Sequence, residues 1–212
     1  MRRIIVVLCV LPALAQDVGS EKELALGASL AAGFGQHAPR LESERARKYV
    51  KGLGAALVAQ LENPRFGYQF EVVASERKQP AAFPGGYVMV PAGALLAAGS
   101  EADLRETLAH AVAHVALRHG FQSRGGEGAA IPLFFVGGWA GLHSGESDSV
   151  LVPAGYREAQ RKYESEADEF GRQLAGRVGE QSGEEFRAVQ DEVRRLVVVE
   201  RKKPSLYRQG QR

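Results

Sequence analysis

Apolar positions recur at helical spacing through residues 18–62, shorten to a period of two near residue 70, and return to helical spacing after residue 93. Ser20 is placed to cap a first helix that opens with ELALG at residues 23–27. Pro39 separates it from a second helix over residues 42–62, with Tyr49, Leu53, Leu57 and Leu61 on one face and Asn63-Pro64 as its stop. Tyr68, Phe70 and Val72 then alternate with Gln69, Glu71 and Val73, the pattern of a half-buried strand. Residues 79–86 read as a loop, and Tyr87, Val88, Met89 and Val90 as a second strand ended by Pro91. A short helix over residues 93–98 leads into a long one over residues 101–120. Two more are expected over residues 156–177 and 183–200.

The helix over residues 101–120 carries the most informative chemistry. Leu104, Leu108, Ala111, Val112 and Val115 form its apolar stripe. Ser100 or Asp103 opens it, Asp103 with Glu106 three residues on as in a capping box, and Gly120 can end it. His110 and His114 stand four residues apart, so they share a face with Cβ atoms roughly 6 Å apart. Two imidazoles so placed can bind one metal ion, as in the H-E-x-x-H zinc helix, where the Glu is the general base. Here the run is His110-Ala111-Val112-Ala113-His114: the metal-binding half is present and the base is missing. The alternative is a helix with two polar, partly buried histidines.

The flanks and the composition narrow the setting. Arg2 and Arg3, an apolar run over residues 4–14 and Ala13-Leu14-Ala15 read as a signal peptide over residues 1–15, cleaved before Gln16. The alternative is a retained anchor, for which the apolar run is short. Export to the periplasm or beyond the cell follows as an expectation. Cys9 is the only cysteine, so the mature chain has neither a disulfide framework nor a thiolate zinc site. The 27 basic and 25 acidic residues of the chain fall to near balance once Arg2 and Arg3 are removed. No basic field for nucleic acid is left. The apolar run over residues 129–142, with Phe134, Phe135 and Trp139, is too short to span a bilayer, so no transmembrane helix is expected in the mature chain. One domain is expected over residues 16–200, with a basic tail over residues 201–212.

The helix over residues 156–177 offers Glu164 and Asp168 four apart on one face. Glu164 could complete a zinc site while Asp168 accepts the N–H of a liganding imidazole. A solvated acidic face is the competing reading. Four segments in order resemble the zinc metallopeptidase family of the CAAX prenyl endopeptidase, the HtpX heat-shock protease and periplasmic quality-control proteases. These are ELALG at residues 23–27, FPGGYVMV at 83–90, LAHAVAHVALRHG at 108–120 and ESEAD at 164–168. The similarity covers about residues 18–178.

The resemblance implies an α+β, mostly helical gluzincin-like metallopeptidase domain with a small antiparallel sheet and a zinc helix. It implies one zinc per chain held by His110, His114 and Glu164, with Asp168 behind them. The strand of Tyr87, Val88, Met89 and Val90 would be the cleft edge that pairs with an extended polypeptide substrate. The family's late H-P-S/T segment followed by Arg reads Lys203-Pro204-Ser205-Leu206-Tyr207-Arg208, so Arg208 could stabilise an oxyanion, or the tail could be simply basic and disordered. The departure is Ala111, at the position of the family's general-base Glu. General base catalysis contributes about 10²–10⁴-fold. A zinc metalloendopeptidase impaired as written is therefore expected. A zinc-binding pseudo-protease acting as a peptide-binding or chaperone-like module is the alternative, and a helical protein with a structural His pair is a third.

Overall fold

The structure is a computed structural model that describes residues 18–122, 154–180 and 182–202. The signal segment 1–15, the apolar run 129–142 and the tail with Lys203, Tyr207 and Arg208 lie outside the described residues. In chain order the elements are α1 (Val18–His37), α2 (Glu44–Val58), β1 (Gln69–Val73), β2 (Ala81–Phe83), β3 (Tyr87–Pro91), α3 (Ala92–Ala97), α4 (Glu101–Ala116), α5 (His119–Gln122), α6 (Ala154–Arg177) and α7 (Gly183–Lys202). The α+β, mostly helical class is as expected.

The sheet departs from expectation. Its strand order is β1-β3-β2, with β3 parallel to β1 and antiparallel to β2, so it is mixed rather than antiparallel. The reason is β2, a three-residue strand inside the stretch expected to be a loop. A 3-10 turn over Pro84–Gly86 joins β2 to β3, and Gly85 and Gly86 take φ of 75° and 97° there, which a side chain would strain. β3 is therefore the central strand. Tyr87 and Met89 are paired on both sides, with Gln69 and Glu71 of β1 and with Phe83 and Ala81 of β2. A peptide cannot add to it, which corrects the expectation that Tyr87, Val88, Met89 and Val90 form the cleft edge.

Each face of the sheet packs on helices, and the alternation along β3 follows. Val88 and Val90 point into the main core with Phe70, Val72, Leu53, Leu57, Leu104 and Leu108. Tyr87 and Met89 turn to the other face, where Ala31 and Phe34 of α1, with Ala38 just after it, meet Phe83 and Val73. Gly27 sets how close α1 comes. A Cβ there would lie 1.7 Å from the Pro84 carbonyl oxygen, so the helix rests directly on the Pro-Gly-Gly turn.

Ser100 caps α4, accepting from the Asp103 N–H, while the Asp103 carboxylate accepts from the Ser100 N–H. Asp103 is thus the third residue of the helix rather than its cap. The helix ends at Ala116, short of Gly120, because Arg118 takes a left-handed φ of 58° and turns the chain back into α5. That turn is anchored by Glu23, which is fully buried in α1: its Oε2 accepts from Arg118 Nε at 2.8 Å and lies 2.7 Å from a terminal guanidinium nitrogen. The second helix also ends early, at Val58, well before Asn63-Pro64. Among the described residues no helix is long and apolar enough to cross a membrane.

Candidate metal centre

α4 presents His110 and His114 one turn apart, and α6 packs along α4 so that Glu164 and Asp168 face them. Gly171 permits this approach. A Cβ at that position would lie 2.9 Å from both the N and the Cα of His110. His110 Nε2 and His114 Nε2 are 3.1 Å apart, and Glu164 Oε2 lies 3.3 Å from the first and 3.7 Å from the second. A zinc ion with N and O ligands at about 2.0–2.1 Å in a tetrahedron needs ligand separations of about 3.3 Å. The three atoms therefore fit a zinc ion by spacing and by donor chemistry: two imidazoles and a carboxylate.

The atoms behind them complete the fit. His110 Nδ1 is 2.8 Å from Asp168 Oδ1, so the ring keeps its proton there and turns its Nε2 lone pair inward. The neighbouring imidazoles, His110 first and then His114, hold the Glu164 carboxyl down at about 2, against burial, which works the other way. For His110, burial acts to lower the pKa, yet the Glu164 hydrogen bond and the charges of Glu164 and Asp168 outweigh it and leave the imidazole raised. Burial lowers His114, and its net shift is downward. A bound cation would take the place of the second proton that a charged His110 carries on Nε2 beside Glu164.

The structure thus brings together His110, His114, Glu164 and Asp168. Ala111 is fully buried and offers no proton acceptor. Tyr87, Val88, Met89 and Val90 are not at a free edge, and Arg208 lies outside the described residues. β2 is nearer the site. A small cavity borders Ala82 and Phe83 on one side and His114 on the other.

Sequence reasoning missed one participant. His119, only 1% exposed, sits with its Nδ1 3.2 Å from His114 Nδ1 and its Nε2 3.2 Å from Glu166 Oε2. Its ring stacks on Tyr163 with centroids 4.5 Å apart. Burial, with the neighbouring His114 adding, pushes its imidazole down to about 4. The signal was there as Arg118-His119 directly after the metal helix. An uninterrupted helix to Gly120 would have put His119 about 140° around the axis from His114, pointing elsewhere; the Arg118 turn brings it back.

The model of peptidase family M48 matches residues 44–193. Similar proteins include relatives named as beta-barrel assembly-enhancing proteases. One from Vibrio cholerae is 29% identical over 136 residues, which cover 55% of this chain and 28% of that protein. One from Yersinia pestis is 27% identical over 117 residues, covering 55% and 24%. One from Escherichia coli strain K12 is 24% identical over 153 residues, covering 67% and 31%. The chain thus matches about a quarter to a third of the length of these relatives. With the family match running from α2 to α7 and spanning both helices that build the site, this chain belongs to peptidase family M48, a family of zinc metallopeptidases.

Proposed function

We propose that this chain is a zinc metalloendopeptidase domain acting on extended or unfolded polypeptide, with its catalysis impaired by Ala111. The observation that carries the reading is the convergence of His110 Nε2, His114 Nε2 and Glu164 Oε2 within 4.8 Å of one another. A zinc ion supplies Lewis-acid activation of a peptide carbonyl and of water when bound. His110, His114 and Glu164 would hold it, and Asp168 would orient His110. Substrate recognition is best supported at β2, which ends the sheet among the described residues and packs against α4. An extended peptide laid along its outer edge would be read mainly through the backbone, with little sequence preference. The signal-peptide features of residues 1–15 support action after export.

At position 111 the family carries the group that accepts and returns the proton. Its absence removes about 10²–10⁴-fold in rate, or about 3–5 kcal/mol of barrier lowering. Ala111→Glu should therefore raise cleavage of a casein-like unfolded substrate at least about 10²-fold. The gain should vanish with a chelator and with His114→Ala. The lack of a carboxylate at position 111 favours a second reading, a peptide-binding module that has given up turnover. A folded, zinc-loaded Ala111→Glu variant that cleaves nothing would select that reading. Brisk cleavage by the Ala111 form would show that the base lies elsewhere.

A further inference from the structure

His114 has two ring nitrogens that face opposite ways. Nε2 points to His110 and Glu164; Nδ1 points to His119, 3.2 Å away. A neutral imidazole carries one proton, and only the unprotonated nitrogen can bind a metal. Whatever decides the position of that proton decides whether His114 is ready to ligate. Asp168 makes this decision for His110; at His114 Nδ1 the partner among the described residues is His119.

The group behind His114 is His119, and behind His119 is Glu166. His119 Nε2 and Glu166 Oε2 are 3.2 Å apart. A carboxylate oxygen can only accept, so a neutral His119 must put its proton on Nε2. That leaves His119 Nδ1 as a lone pair aimed at His114 Nδ1. The opposite assignment would set a lone pair of His119 against the carboxylate. The ring has little freedom to choose otherwise: it is 1% exposed and held flat against Tyr163 at an interplanar angle of 25°.

We propose that Glu166 and His119 form a hydrogen-bond chain that positions His114, fixing its proton on Nδ1 so that the Nε2 lone pair faces the metal centre. Each member donates to the next: His114 Nδ1–H to His119 Nδ1, and His119 Nε2–H to Glu166. This rests on the zinc reading of the site. His119 and Glu166 are positioning residues, one and two steps removed from any ligand. The chain also links the metal centre to α1, because the Arg118 turn that delivers His119 is the one clamped by buried Glu23.

The test uses the full chain and has two independent arms. In the first, long-range nitrogen–proton NMR of the metal-free protein at mildly alkaline pH reads the tautomer of each imidazole. His114 should carry its proton on Nδ1 in the wild type and populate the Nε2–H form in His119→Phe, which keeps the stacking on Tyr163 but has no acceptor. In the second arm, zinc affinity is read by competition with a chromogenic chelator. His119→Phe should bind zinc about 10–100-fold more weakly. His119→Gln, whose amide can accept from His114 and donate to Glu166, should recover most of the loss. Glu166→Ala, at a half-exposed position that threatens folding less, should weaken binding in the same direction and release the His119 tautomer. The chain is overturned if wild-type His114 carries its proton on Nε2, or if the folded His119→Phe or Glu166→Ala protein keeps both tautomers and affinity. If the wild type binds no zinc, the metal reading fails, and the tautomer arm still decides the chain.

Discussion

Gly171 is where α6 meets the backbone of the metal helix, and Gly171→Ala puts a methyl group into that contact. The added Cβ would stand 2.9 Å from His110 N and Cα and 3.1 Å from the Ala109 carbonyl carbon. That is at least about 0.5 Å inside comfortable contact, and the atoms met are helix backbone, which cannot rotate away. The helices must therefore part. Overpacking of this kind costs about 1–3 kcal/mol, while Ala in place of Gly in a helix returns about 0.5–1 kcal/mol. Net destabilisation should be modest, about 2 kcal/mol or less. The larger effect falls on the site, because the separated pair is His110 on one helix and Glu164 and Asp168 on the other. Zinc affinity should drop at least as far as for loss of an orienting partner, about 10-fold or more. Gly176→Ala supplies the control: it lies on the same helix with no atom within 4 Å of the new Cβ, so it should stabilise slightly and leave zinc binding alone. Thermal unfolding and chelator competition on both variants decide the matter. A Gly171→Ala protein that gains stability like Gly176→Ala and keeps its zinc affinity would refute the claim that the helix approach sets the site.

Gly27→Ala should be far more damaging, since its Cβ would collide with the Pro84 carbonyl oxygen at 1.7 Å; a drop in denaturant midpoint exceeding that of Gly171→Ala is the expected result. Arg118→Ala removes the guanidinium that buried Glu23 holds and should destabilise the fold, read as a lower midpoint at unchanged slope. Adding zinc at 100 times its dissociation constant should stabilise the folded chain by about 2.7 kcal/mol, an increment that Glu164→Gln should reduce at the same zinc concentration.

The helices were legible because their apolar stripes are long and their punctuation is chemical. α4 is the clear case, with an i,i+4 His pair that needs no tertiary information to be placed on one face. Glu164 and Asp168 were legible for the same reason, although their meeting with His110 depends on Gly171, which the sequence presents as one more helix-weakening glycine. The sheet was harder. β2 has three residues between a Pro and a Pro-Gly-Gly turn, too few to show a period, and without it the pairing of β1 and β3 takes the wrong sense. The central position of β3 followed from the same omission. His119 was hidden by Arg118, because a left-handed φ at a non-glycine residue has no sequence signal; here it is held by Glu23, 95 residues earlier in the chain.

On this reading His110, His114 and Glu164 hold one zinc ion. Elemental analysis of the chain purified without chelator tests it most directly, alongside His114→Ala and Glu164→Gln prepared in the same way. One zinc per wild-type chain is expected, with a marked loss in both variants and folding retained by circular dichroism. A folded wild-type chain with no zinc, or variants as fully loaded as the wild type, would contradict it.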